Sequence, residues 1–268
     1  MKESCLIISF WLGNRRIFPP VYNEDRLIYV KKQIEYLMMY ENNLDTIYFN
    51  FNLETHHYDL LNKALELIPD RINNSKVKIN IRENIGFSYG AWNDIVLKEI
   101  KNYKYFIFNE DDYFFVQNNW DDYLINKYNS KDNTGYLAMG VRPLLNDNTY
   151  RDTFHSVGIS SSVSLQKIID KFGCLLSRPL SKDVTYYEGM AMQSAWSQLY
   201  KSVGLTNYDV RDDYQVEFGL TDRKEDIWRL WEWNENILIK NSKSMFQPSH
   251  TWFICSDNEY IEGFVFPF

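Results

Sequence analysis

Apolar and polar positions in the first half of the chain switch back and forth between two periods. Leu6 to Trp11, within the apolar run from Cys5 to Leu12, reads as a buried first strand. Leu27, Val30, Ile34, Leu37 and Met38 then fall on one face of a helix. Thr46 to Phe51, rich in β-branched and aromatic residues, predicts a second strand. Leu61, Ala64, Leu65 and Ile68 form another helical stripe, which Pro69 closes. Val77, Ile79 and Ile81 alternate as a strand, Ala91, Trp92, Ile95, Val96 and Ile100 make a third helical face, and Tyr105 to Phe108 is a fourth strand. This β-α-β-α-β-α-β order predicts an α/β domain with a mostly parallel sheet and helices on both faces. Ligands of such sheets gather beyond the carboxyl ends of the strands. Here those ends lead into residues 12–16, 50–55, 82–90 and 109–115.

The second half is less regular. Gly135 to Val141 and Tyr214 to Phe218 read as strands, and Ser164 to Phe172, Met190 to Val203 and Arg223 to Ile239 as helices. Neither a repeat nor a low-complexity linker interrupts the chain, and only Asn129 to Thr134 has the polar character of a seam. One domain over residues 1–268 is expected, with 1–130 as its ligand-binding half and 131–268 as the other.

Composition supports a large core: 45% of the 268 residues are hydrophobic and 17% aromatic. The net charge of −7 argues against nucleic acid as a partner. Cys5, Cys174 and Cys255 are odd in number and far apart, which argues against a disulfide framework or a thiolate zinc site and fits the reducing cytoplasm. The apolar run at the start is too short to span a membrane. The apolar tail, Ile261 to Phe268, is expected to pack on the body of the protein, a peripheral membrane contact being the alternative.

The fourth strand ends in Asn109-Glu110-Asp111-Asp112-Tyr113. Crowded carboxylates repel unless a cation lies between them. Alternation along the chain puts Glu110 and Asp112 on one side and Asp111 on the other. Two acids on one side form an oxygen-rich half-site for Mn²⁺ or Mg²⁺. The second chemical signal is Arg82-Glu83-Asn84-Ile85-Gly86-Phe87-Ser88-Tyr89-Gly90-Ala91-Trp92, between the third strand and the third helix. Gly86 and Gly90 permit close backbone approach to a ligand, the following helix points its N-terminus at the same crevice, and Arg82 can contact an oxyanion.

The segment Asn84-x-Gly86-Phe87-x-x-Gly90-Ala91-Trp92, followed by the strand ending in Glu110-Asp111-Asp112, resembles the GT-A fold nucleotide-sugar glycosyltransferases, in particular polysaccharide-type enzymes of the rhamnan-synthesis kind. The resemblance covers residues 4–120 well and the remainder loosely. It implies that the acidic tip corresponds to the family's Asp-x-Asp motif, with Glu110 and Asp112 holding a divalent metal on the diphosphate of a UDP or GDP sugar. Two departures stand out: the first acid is Glu110, and Ser88 occupies a position where relatives often carry Asp.

The resemblance further implies that the loop after the first strand (Phe10, Trp11, Gly13, Asn14, Arg16) holds the nucleotide, largely through backbone groups. Asn50 or Asn52 would meet the base, unless their role is turn formation. Arg82, Asn84, Gly86, Tyr89, Gly90, Trp92 and Asp111 would complete the cofactor site. An inverting enzyme needs a base for the acceptor hydroxyl; Glu188, in Tyr186-Tyr187-Glu188-Gly189, is the first candidate and Asp183 the second. His250 is a candidate further metal ligand, with His155 a weaker one. The function implied is metal-dependent transfer of a sugar to a glycan or glycoconjugate hydroxyl. The alternatives are a non-catalytic nucleotide- or glycan-binding module of the same fold and a sugar-nucleotide-synthesising nucleotidyltransferase.

Overall fold

Nine consecutive residues, Lys2–Phe10, form the first strand, β1, and every side chain from Ser4 onward is buried. Such a strand needs cover on both faces, and the fold supplies it. The computed structural model describes residues 2–13, 26–53, 58–111, 113–115, 117–138, 141–142, 153–154, 157–175, 196, 199–210 and 253–255. In chain order they form β1, α1 (Leu27–Met39), β2 (Thr46–Leu53), α2 (Tyr58–Leu67), β3 (Arg71–Ile72), β4 (Ser75–Glu83), α3 (Phe87–Glu99), β5 (Tyr103–Glu110), β6 (Tyr113–Phe115), α4 (Trp120–Asn129), β7 (Thr134–Ala138), β8 (Val141–Arg142), β9 (Thr153–Phe154), β10 (Gly158–Ser161), α5 (Ser162–Phe172), β11 (Thr206–Asp209) and β12 (Phe253–Cys255).

The main sheet has the order β11-β7-β10-β5-β1-β2-β4-β3. Its centre, β5-β1-β2-β4, is parallel throughout. Strand β10 runs antiparallel to both β5 and β7, and β3 runs antiparallel to β4. The α/β class and mostly parallel sheet expected from the apolar pattern are therefore present. One core, built on Leu6, Ile8, Phe49 and Ile107, is covered by α1, α2 and α4. The other, built on Ile7, Phe106 and Phe108, is covered by α3 and α5.

Several expectations need correction. On α1 the buried stripe runs through Leu27, Val30, Gln33 and Leu37, while Met38 is 51% exposed. The strand expected at Val77, Ile79 and Ile81 is present as β4, with Val77 buried and Ile79 and Ile81 45% and 47% exposed. The polar stretch at Asn129 to Thr134 is a tight connection: the Tyr128 hydroxyl donates to the Thr134 carbonyl at 2.7 Å, and Thr134 Oγ1 donates back to the Tyr128 carbonyl at 3.0 Å. Helix α5 starts two residues before its expected limit; Ser161 caps it by accepting from Ser164 N, and Gly173, at φ 78°, ends it. The strand expected at Tyr214 to Phe218, the helix at Arg223 to Ile239 and the apolar tail lie outside the described residues. Of the expected Met190 to Val203 helix, 196 and 199–202 are described as helical. Among the described residues no helix is long and apolar enough to cross a membrane.

A polar network links the sheet to the end of α3. Lys78 Nζ donates to the Tyr48 hydroxyl at 2.9 Å and to Glu99 Oε1 at 3.0 Å, and Asn102 donates to Glu99 Oε2 at 2.7 Å. Burial works to raise the Glu99 pKa, but these hydrogen bonds and the Lys78 charge outweigh it and hold the carboxyl below its usual range. A carboxylate whose pKa is depressed on folding contributes stability above its unfolded pKa and loses it as pH falls through the folded value. Glu99→Gln should therefore lower Tm at pH 7, and the gap from wild type should close in melts recorded below about pH 4. A gap that persists at low pH would assign the loss to packing. Burial pushes the Cys5 thiol well up, which keeps it protonated and inert.

Candidate functional site at the carboxyl end of the sheet

Register places Ser9 beside both Asn50 and Glu110, and Asn50 beside Asn80. Four polar residues therefore stand abreast near the ends of β5, β1, β2 and β4, on the face covered by α3. Asn80 Nδ2 donates to Asn50 Oδ1, and Asn50 Nδ2 is buried without a hydrogen-bond partner among the described residues. One step further along, Asn52 Nδ2 donates to Ser9 Oγ at 2.8 Å and to the Phe10 carbonyl at 3.3 Å.

The two described acids of the tip diverge as strand alternation requires. Glu110 turns toward α3, where Ser88 Oγ donates to its Oε1 at 2.8 Å. Its other oxygen has no partner among the described residues. Asp111 turns the opposite way and is buried. Its Oδ2 accepts from Trp11 N at 3.0 Å and from Arg26 Nη2 at 3.0 Å. Arg26 also donates to the Trp11 carbonyl, through Nε at 3.3 Å and Nη2 at 3.2 Å, and its guanidinium lies 4.2 Å from the Tyr29 ring centroid. Asp111 thus locks the end of β1 to the end of β5. Asp111, expected at the cofactor, forms a buried ion pair with Arg26.

Gln33, on the buried stripe of α1, holds the same tip from below. Its Nε2 donates to the carbonyls of Tyr113 (2.6 Å), Asp111 (3.0 Å) and Glu110 (3.3 Å). Asn109 Nδ2 adds a bond to the Tyr113 carbonyl at 2.9 Å. Sequence reasoning missed Arg26 and Gln33. The available signal was a glutamine at a core-facing position of an amphipathic helix.

The connection from β4 to α3 is internally tied. Arg82 donates through Nε to Asp94 Oδ2 at 2.7 Å, through Nη1 to Asn52 Oδ1 at 2.8 Å and through Nη2 to the Ile85 carbonyl at 2.9 Å. Every nitrogen of its guanidinium therefore has a protein partner. Asn84 N donates to the Leu53 carbonyl at 2.8 Å. Gly86 (φ 84°) and Phe87 (φ 49°) are both left-handed, which turns the chain sharply into α3. Such a conformation at a bulky residue costs about 1–3 kcal/mol, and here it aims Ser88 at Glu110. The close approach at Gly90 is made by the chain itself: a Cβ there would lie 2.0 Å from the Ile85 carbonyl oxygen.

Three residues expected at the ligand are core residues. Phe10 is buried and stacks on Phe49 and Phe51. Trp92 is fully buried against Phe108 and Trp196, and Tyr89 packs on Trp92 and Trp196. Tyr89 and Trp92 lie on the face of α3 that covers the sheet, and Phe10 on the opposite face of the sheet, so packing decides their direction. The side chain of Trp11, half-buried, folds over Gly13, its ring 2.8 Å from where a Cβ would stand. Among the described residues no group of three or more His, Cys, Asp and Glu side chains is placed to hold a metal ion. Asn14, Arg16, Asp112, His155, Asp183, Glu188 and His250 lie outside the described residues.

No family model matches the chain, and no curated protein matches it. Among solved structures, it is similar to a protein assigned as a nucleotide-diphospho-sugar transferase from Desulfovibrio desulfuricans, at 10% identity over 78% of this chain and 80% of that one, with a TM-score of 0.44. It is also similar to a cytidylyltransferase from Leptospira borgpetersenii, at 11% identity over 92% of this chain and 100% of the other, TM-score 0.45. A third similar structure is the glycosyltransferase GlyE of Streptococcus pneumoniae, at 12% identity over 100% of this chain but 57% of that one, TM-score 0.46. Likenesses this distant assign no activity.

Proposed function

We propose that the chain is a metal-dependent glycosyltransferase of GT-A type, moving a sugar from a nucleoside-diphosphate sugar to a hydroxyl of a glycan or glycoconjugate. One observation carries the reading. At the tip of β5, two adjacent acids are divided between tasks: Asp111 is consumed in a buried ion pair, while Glu110 is held by Ser88 with one carboxylate oxygen still unpartnered among the described residues. Glu110 is partly exposed beside the crevice, where a hard divalent cation suits that oxygen.

Glu110 and Asp112 would hold Mn²⁺ or Mg²⁺, with His250 as a further candidate ligand. When bound, the cation supplies Lewis-acid stabilisation of the charge that develops on the departing diphosphate. Ser88 fixes the direction of Glu110. The strained Gly86-Phe87 turn fixes Ser88. Glu188, or Asp183 in its stead, would take the proton of the acceptor hydroxyl.

Thermal shifts with UDP, GDP, CDP and dTDP, each with and without Mn²⁺, test the reading. One nucleotide should stabilise the protein in a metal-dependent way, by about 2.7 kcal/mol at a hundredfold excess over Kd. Asp112→Ala and Glu110→Gln should each abolish the metal-dependent part. Slow hydrolysis of the matching sugar nucleotide should accompany binding; its absence would favour a binding module, and release of pyrophosphate from a nucleoside triphosphate and sugar phosphate a nucleotidyltransferase. An unchanged metal-dependent shift in Asp112→Ala rejects the site.

A further inference from the structure

We infer that Gln33, a helix residue whose amide contacts no acidic side chain in the described tip, is the positioning residue that sets how tightly the tip of β5 holds its cation. The inference rests on the metal site proposed above, and its grounds are separate from it. Strand β5 ends at Glu110, and β6 begins at Tyr113. A buried carbonyl needs a donor. Gln33 provides one donor group for three of them, at 2.6, 3.0 and 3.3 Å. The amide's two hydrogens are shared among three acceptors that lie on both sides of Asp112 in sequence. Gln33 is itself buried, and Val30 and Leu37 of the same stripe pack in the core beneath the sheet, so its amide is aimed by packing.

The geometry assigns a division of labour along α1. Arg26, at its start, fixes where the tip sits by joining Asp111 to the Trp11 backbone. Gln33, two turns on, fixes the backbone on both sides of Asp112 in sequence, at Glu110, Asp111 and Tyr113. Groups that orient metal ligands from behind typically change metal affinity about 10–100-fold when removed. Glutamine suits the role for two reasons. A carboxylate at the same place would face three carbonyl oxygens, and an aliphatic side chain would leave them without a donor.

The test is Gln33→Met, which keeps volume and helix propensity and removes the donor, compared with wild type in two measurements. In hydrogen exchange of the metal-free protein, the amides of residues 111–113 should exchange about tenfold faster or more, while those of β1 and the body of β5 stay protected. In thermal shift with the responding nucleoside diphosphate, the Mn²⁺ concentration for half-maximal stabilisation should rise about tenfold or more, with the metal-independent shift from nucleotide alone unchanged. A purely structural role would lower Tm and move neither ratio. Unchanged tip exchange overturns the clamp. Faster exchange with an unchanged Mn²⁺ requirement overturns the link to the metal. A wild-type protein that shows no metal-dependent shift refutes the proposed function and, with it, any metal role for Gln33, whereas the exchange measurement still decides whether the clamp exists.

Discussion

Asp111→Ala is expected to lose about 3–5 kcal/mol of unfolding free energy, the cost of stripping one partner from a buried ion pair. The partners meet at 3.0 Å with side chains 7% and 2% exposed, so solvent cannot replace what is removed. Deletion of the carboxylate leaves the Arg26 charge buried and withdraws the acceptor from Trp11 N. Asp111→Asn keeps an acceptor for the Trp11 amide and loses the charge, so its penalty should be clearly smaller. Arg26→Met on the Asp111→Ala background should recover part of the loss, because the stranded charge disappears with it. Recovery will be incomplete, since the Trp11 carbonyl then lacks the donors that Arg26 supplied. Urea unfolding of the four proteins, read at constant m-value, measures each difference. A loss below about 1 kcal/mol for Asp111→Ala, the range of an exposed pair, would mean that the pair is solvated in solution.

The physics that governs this pair also explains what the sequence could reveal. Strands β1, β2 and β5 are buried on both faces, so their near-continuous apolar runs were legible, as were the helices that cover them. The opposite directions of Glu110 and Asp111 followed from strand alternation alone. Helix α4 was not anticipated, although Trp120, Leu124 and Tyr128 recur at helical spacing: the stripe is one residue wide and interrupted by the acids Asp121 and Asp122. Strand β10, Gly-Ile-Ser-Ser, carries almost no apolar signal. It is stabilised by its two neighbours and by a Ser160 hydroxyl that donates to the Gly135 carbonyl at 2.6 Å. The pairing of β12 with β6 joins segments far apart in sequence, and no local pattern encodes it. At the site, the sequence shows Arg82 as a cation beside glycines but does not reveal its protein partners. Its actual partners, Asp94, Asn52 and the Ile85 carbonyl, come together only when β2, β4 and α3 are assembled. Tyr89 and Trp92 were read toward a ligand from a local segment, whereas the need to cover the sheet turns them inward.

That assembled connection makes Gly90→Ala the most informative change near the crevice. In an ordinary helix interior, Gly→Ala is stabilising by up to about 1 kcal/mol, because alanine has less conformational freedom to lose. Here the added methyl would stand 2.0 Å from the Ile85 carbonyl oxygen and 2.9 Å from Arg82 Nη2. Backbone at that distance cannot yield as a flexible side chain would, so the 83–86 segment must shift. The shift breaks the bond from Arg82 to the Ile85 carbonyl and disturbs the left-handed pair at Gly86 and Phe87. Forced repacking of this kind costs about 1–3 kcal/mol and overrides the helix gain. Ser88 stands next in the chain, so its hold on Glu110 should loosen with the segment. The expected result is therefore a lowered Tm together with a weakened Mn²⁺-dependent shift, although Gly90 touches no acid. A variant as stable as wild type or more so would show that the segment yields without cost, and that the turn ahead of α3 is not held by the contact at Gly90.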